Sequence, residues 1–84
     1  MPSPRVTLYA RPDCHLCDRV RDQLESLRAE GVAFELEEVD IDSDEQLLAR
    51  YLERIPVVML CGEIVGELGL DTDSLRARLD TVSA

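Results

Sequence analysis

Cys14 and Cys17, three positions apart, are the residues of this chain best equipped for chemistry. They lie in the stretch Tyr9-Ala10-Arg11-Pro12-Asp13-Cys14-His15-Leu16-Cys17, where an apolar run gives way to a helical pattern. On the first turn of a helix, residues i and i+3 occupy neighbouring faces, so two thiols there reach disulfide geometry without moving the backbone. The helix N-terminus also presents unpaired N–H groups and the positive end of the macrodipole, which favour a thiolate over a thiol. A pair so placed can be oxidised and reduced repeatedly. His15 and Arg11 add positive character beside Cys14, while Asp13 and Asp18 oppose it. The expected result is a modestly acidified thiol and a mildly reducing couple.

Other uses of the same residues are weaker. A closed zinc site needs four ligands, and only His15 and Cys61 are present to supplement the pair. His15 shares the loop and cannot easily turn to the same ion, so no resident metal is expected. An iron–sulfur cluster shared between two chains would need ligands from outside. Cys61, beside Gly62, reads as a turn residue far from the cysteine pair.

The elements that must position the pair follow from the apolar spacing. Arg5 to Ala10 is rich in β-formers and ends at Arg-Pro-Asp, which predicts a first strand aimed at Cys14. From His15 to about Glu30, Cys17, Val20, Leu24 and Leu27 recur at intervals of three and four, an amphipathic helix closed by Gly31. Val32, Phe34 and Leu36 alternate, and Val39 and Ile41 resume after a change of phase at Glu37-Glu38. This predicts a second strand with a bulge at that pair. Ser43 with Gln46 three residues later reads as a capping box for a second helix carrying Leu47, Leu48, Tyr51 and Leu52. Ile55-Pro56 ends that helix. Val57 to Leu60 is a short apolar run suited to a strand covered on both faces. Cys61-Gly62 turns it into Glu63 to Gly66 as a hairpin, and a last helix runs from about Asp73 to Val82, anchored by Leu75, Leu79 and Val82. The expected order is β-α-β-α-β-β-α, an α/β fold with one small mixed four-stranded sheet flanked by helices. Tyr9 and Phe34 are expected in the core.

The whole chain bounds the answer further. Its 84 residues leave room for one domain, residues 1–84, and 45% hydrophobic with 32% charged residues suits a compact fold rather than a disordered one. A net charge of −9 argues against nucleic acid and anionic membrane surfaces as partners. The N-terminal lead-in Met1-Pro2-Ser3-Pro4-Arg5 precedes too few apolar residues for a signal-peptide core, and no run is long enough to span a bilayer. A cytoplasmic monomer is therefore expected. In that compartment structural disulfides are rare, and three cysteines suit a secreted disulfide framework poorly.

On Cys14-His15-Leu16-Cys17 after the first strand, Val39-Asp40-Ile41-Asp42 ending the second, Ile55-Pro56 before the third and the glycine-containing hairpin after it, the chain resembles the glutaredoxin-like branch of the thioredoxin fold over nearly its whole length. The resemblance implies that Cys14 is the exposed nucleophile and Cys17 the resolving thiol. It implies that Pro56 is a cis-proline beside the site, with the backbone of Ile55 available to an extended substrate or a glutathione peptide. Arg11 falls where glutaredoxins often carry a lysine that contacts the glutathione carboxylate. The chain departs from glutaredoxins in His15-Leu16, where they carry proline and tyrosine. It departs again in Gly66-Glu67 with Asp71 further on, where they carry Gly-Gly followed closely by aspartate. A carboxylate at Glu67 would repel a glutathione carboxylate. These departures bring it closer to the small glutaredoxin-like proteins than to a working glutaredoxin.

The expectation is thus a thiol–disulfide oxidoreductase acting on a protein or small disulfide. It would hold no tightly bound cofactor, with glutathione as a candidate co-substrate. His15, Arg11, Ile55 and Pro56 are the candidate substrate contacts. A non-catalytic peptide-binding module on the same fold and an iron–sulfur carrier are the alternatives.

Overall fold

The structure, a computed structural model, describes residues 3–83. Met1 and Pro2 of the N-terminal lead-in, and Ala84, lie outside the described residues. Strand β1 (Arg5–Ala10) leads through a short loop to helix α1 (His15–Ala29), and β2 (Glu35–Asp40) returns beside β1. A single 3₁₀ turn (Ile41–Ser43) and helix α2 (Glu45–Tyr51) follow, then the hairpin β3 (Val57–Leu60) and β4 (Glu63–Glu67), and finally α3 (Thr72–Ser83). The sheet order is β2-β1-β3-β4, with β1 and β2 parallel and the other two pairs antiparallel. This is the mixed four-stranded α/β arrangement the sequence predicts.

The strand period of two sorts the core into two layers. Val6, Leu8 and Ala10 of β1, with Val58 and Leu60 of β3, pack on one face against Cys17, Val20, Leu24 and Leu27 of α1 and Leu75 and Leu79 of α3. Tyr9, Val57 and Met59 point the other way and pack with Ile41 and with Leu47, Leu48 and Tyr51 of α2. Tyr9 and Tyr51 stack there, 4.8 Å between ring centroids. The unbroken apolar run of β3 is explained by this double cover. Phe34 is buried with the first layer.

Three local expectations need correction. Strand β2 pairs with β1 residue for residue from Arg5↔Glu35 to Ala10↔Asp40, so there is no bulge at Glu37-Glu38. The change of phase arises because Leu36 faces α1 and α3 whereas Val39, opposite Tyr9, faces α2. The irregularity lies instead between Val58 and Met59, in the β3/β4 pairing. The N-cap of α2 is Asp44, whose Oδ1 accepts from the N–H groups of Gln46 and Leu47, while Ser43 donates its hydroxyl to the Asp40 carbonyl. A carboxylate at the cap gains from the helix dipole as well as the hydrogen bonds, which explains why it displaces the neighbouring serine. Likewise Asp71 accepts from the N–H groups of Asp73 and Ser74 at the start of α3. Val82 is 47% exposed and anchors nothing; Leu75 and Leu79 hold that helix.

Candidate active site

Ala10 ends β1 at the same end of the sheet where Asp40 ends β2, Val57 begins β3 and Glu67 ends β4, as the pairings Ala10↔Asp40, Tyr9↔Val57 and Val57↔Glu67 require. The loops that carry Cys14, Asp42, Pro56 and Leu68 therefore leave from one end. Cys61 and Gly62 turn the hairpin at the opposite end, both with positive φ (51° and 83°), the conformation of a two-residue type I′ turn. Cys61 is an exposed free thiol and takes no part in the site.

Asp13 adopts φ 60° and turns the chain from β1 into α1, which makes Cys14 the N-cap. Its Sγ accepts the Cys17 N–H at 3.1 Å, occupying one of the donors that a helix start leaves unpaired. Cys14 and Cys17 are joined as a disulfide with their Cα atoms 5.2 Å apart. The two sulfurs are not equivalent. Cys14 is half-buried, whereas Cys17 is fully buried against the α1 core. Attack from outside can reach the first and not the second.

Of the remaining candidates, His15 is the exposed first residue of α1 and makes no side-chain hydrogen bond among the described residues. The Ile55–Pro56 bond is cis. Pro56 is buried, and its carbonyl accepts the Leu68 N–H at 2.9 Å. The N–H of Ile55 donates to the Tyr51 carbonyl at 3.0 Å, so only the Ile55 carbonyl is left open to a ligand. Arg11 lies beside Asp42, Nε 2.9 Å from Oδ1. That Nε is buried without a well-directed acceptor, so the contact is an ion pair rather than an aligned hydrogen bond. The cysteines, Arg11, Ile55 and Pro56 thus share one end of the fold.

Four features here are not evident from sequence. Arg54 gives both Nε and Nη2 to Glu67 Oε1, the Nε contact being 2.8 Å, and its guanidinium lies 5.4 Å from the Tyr51 ring centre. Arg21 bonds Glu38 and Asp18, which hold its guanidinium above the ordinary arginine range, Glu38 contributing most. Leu16 and Leu68 are apolar side chains 44% and 57% exposed at this end. A cavity of about 260 Å³ opens between Ala10, Arg11, Pro12, Arg21 and the carboxylates of Glu38 and Asp40. Among the described residues no group of three or more His, Cys, Asp or Glu side chains is arranged to hold a metal ion, and no helix is long and apolar enough to cross a membrane.

A Cys-x-x-Cys at a strand-to-helix junction, with a cis-proline entering the neighbouring strand of a four-stranded mixed sheet, defines a protein of the thioredoxin fold. A thioredoxin from Halobacterium salinarum superposes with a TM-score of 0.66 at 23% identity, covering 99% of this chain and 77% of that one, a likeness of fold. Residues 5–80 match the family described as "Glutaredoxin-like domain (DUF836)", and the chain belongs to that family. It is 40% identical to the structural-genomics protein XcR50 of X. campestris (TM-score 0.70, 90% of this chain and 96% of that one). An uncharacterised protein of Mycobacterium tuberculosis strain H37Rv is 34% identical over 82 residues, covering 92% of this chain and 84% of the relative.

Proposed function

We propose that the protein is a dithiol oxidoreductase working through Cys14 and Cys17. The observation that supports this most is the asymmetry of the pair: an accessible sulfur on a helix N-cap beside a resolving sulfur with no access to solvent. In the reduced state the Cys14 thiolate attacks one sulfur of a substrate disulfide. A Cys14–substrate bond forms, the substrate S–S bond breaks, and the first substrate thiolate leaves with the former electron pair. Cys17 then loses its proton and attacks Cys14 Sγ. The mixed disulfide breaks, the second substrate thiolate leaves, and the protein is left oxidised. Two electrons pass to the substrate and two protons complete its thiols, so the reaction needs no bound cofactor; an external thiol donor restores the dithiol. The substrate is a protein or small disulfide, and the reaction belongs in a reducing compartment such as the cytoplasm.

The variants Cys14→Ser and Cys17→Ser test this, both made with Cys61→Ser. Removing Cys17 should trap a mixed disulfide on Cys14, visible as an added mass that dithiothreitol releases. Removing Cys14 should abolish adduct formation. An adduct-free Cys17→Ser protein that still holds a peptide partner would favour a binding module instead.

A further inference from the structure

We infer that the site selects its disulfide by charge, accepting cationic and neutral disulfides and refusing anionic ones, with Asp42 and Glu67 as the residues that set the preference. The inference rests on the thiol–disulfide exchange proposed above and assigns its substrate class.

A site that welcomes an anionic thiol needs cations free to receive a carboxylate. Two guanidiniums belong to the segments that meet at the cysteine end of the sheet, and both are already occupied. Arg11, three residues before Cys14, is paired with Asp42. Arg54, two residues before Pro56, gives two of its nitrogens to Glu67 and is further held over the Tyr51 ring. Arg21, in the cavity wall with Arg11 and Pro12, is divided between Asp18 and Glu38. Arg19 has no carboxylate partner among the described residues, but it lines the groove between α1 and α3 with Asp22 and Glu30. Asp13, next to Cys14, and Asp40, at the end of β2, have no cationic partner among the described residues. Carboxylates therefore outnumber guanidiniums around an accessible sulfur, on a chain whose net charge is −9. The helix end favours the thiolate at close range, but the surrounding side-chain charge is net negative and disfavours an incoming anion relative to a cation. Exposed Leu16 and Leu68 add neutral apolar contact at the same end. A disulfide carried on a basic polypeptide satisfies both features.

Three symmetric small disulfides of similar size test this on the pre-reduced Cys61→Ser protein: cystamine (dication), 2-hydroxyethyl disulfide (neutral) and dithiodiglycolate (dianion). Each reaction converts the Cys14/Cys17 dithiol and one disulfide into the protein disulfide and two small thiols. Each rate is divided by that of the same compound with dithiothreitol, which removes intrinsic reactivity. At low ionic strength the normalised rates should fall in the order given, cation over anion by at least about tenfold. The spread should narrow to about twofold near 1 M salt, where screening acts over about 3 Å. Glu67→Gln and Asp42→Asn should each raise the anion's rate relative to the neutral compound several-fold by freeing Arg54 or Arg11. Exposed ion pairs contribute little to folding, and the salt series on the parent protein is decisive whether or not the variants fold. Equal normalised rates for the three compounds, or a preference for the anion, would overturn the inference while leaving exchange intact. Failure of all three, the neutral one included, would overturn exchange itself and the inference with it.

Discussion

The hydrogen bond from the Cys17 N–H to Cys14 Sγ, 3.1 Å long at the start of α1, makes a measurable claim about the reduced protein. Carrying Cys17→Ser, the chain keeps two thiols, Cys14 on a helix end and Cys61 on a hairpin tip, so one sample contains both test and comparison. A hydrogen bond to a charged acceptor contributes about 1.5–3 kcal/mol, and an exposed helix end about 0.3–1 kcal/mol. Sulfur is a weak acceptor and Asp13 lies alongside, so the lower end applies: about 1.5–2 kcal/mol in favour of the Cys14 thiolate. That is about ten- to thirtyfold in thiolate population below the ionisation of either group. A more acidic thiol is also a poorer nucleophile, and with a Brønsted slope of about 0.4–0.5 roughly half the logarithm is returned. At pH 6 iodoacetamide should therefore alkylate Cys14 about three- to sixfold faster than Cys61, read as modified peptides by mass. At pH 10 the order should invert by a similar factor, since only the difference in nucleophilicity then remains. The half-buried position of Cys14 multiplies both values equally, so the fall in the ratio between the two pH values, about ten- to thirtyfold, carries the argument. A ratio that does not change with pH would refute the assignment of Cys14 as a thiolate held by the helix end.

Two further predictions concern the frame around the pair. Leu24 is fully buried in the layer between the sheet and α1. Leu24→Ala should cost about 3 kcal/mol, from the lost transfer energy and the cavity left behind, and lower the urea midpoint with little change in slope; a loss below about 1 kcal/mol would mean the core collapses around the site. A Cβ added at Gly66 would meet the Gly69 carbonyl oxygen at 2.8 Å and Leu70 Cδ1 at 3.3 Å, so Gly66→Ala must displace the loop whose Leu68 N–H is held by Pro56. It should cost about 1–3 kcal/mol and slow oxidation by 2-hydroxyethyl disulfide; a variant as stable and as fast as the parent would show that this packing is not needed.

The sequence carries the fold because its signals are local. Strand β1 ends at the predicted residue since Arg-Pro-Asp stops it, and α1 begins at His15 since Cys14 caps it. The phase change in β2 was legible but ambiguous: a bulge and a strand sharing its side chains between two layers look alike until the second layer, α2, is in place. At Ser43-Asp44 both residues are good caps, and spacing alone does not choose between them. Val82 fits the helical period but lies beyond the end of the core it would need to reach. Within the site, the cysteine pair and Pro56 are legible from type and spacing. The partners of Arg11 and Arg54 are not, because each pair joins segments that only the strand register brings together: Ala10 to Asp40, and Val57 to Glu67.

Those partners are also where residue choice has the most consequence for selectivity. All nine basic residues are arginine. A lysine in place of Arg54 would present a mobile point charge, whereas the planar guanidinium gives Nε and Nη2 to one carboxylate while lying over Tyr51. Glu67 is held at the end of β4 and Arg54 in the short loop that enters β3, so Glu67 acts at an effective concentration of order millimolar or higher. A free anionic thiol below that concentration loses the competition for Arg54 even before repulsion from Asp13 and Asp40 is counted. The proposed refusal of anions follows from the same strand register that brings Pro56 to the end of the sheet where the cysteines lie, because Val57, the residue after Pro56, pairs with both Tyr9 and Glu67. The geometry that presents the reactive sulfur and the geometry that occupies its neighbouring cations are one and the same.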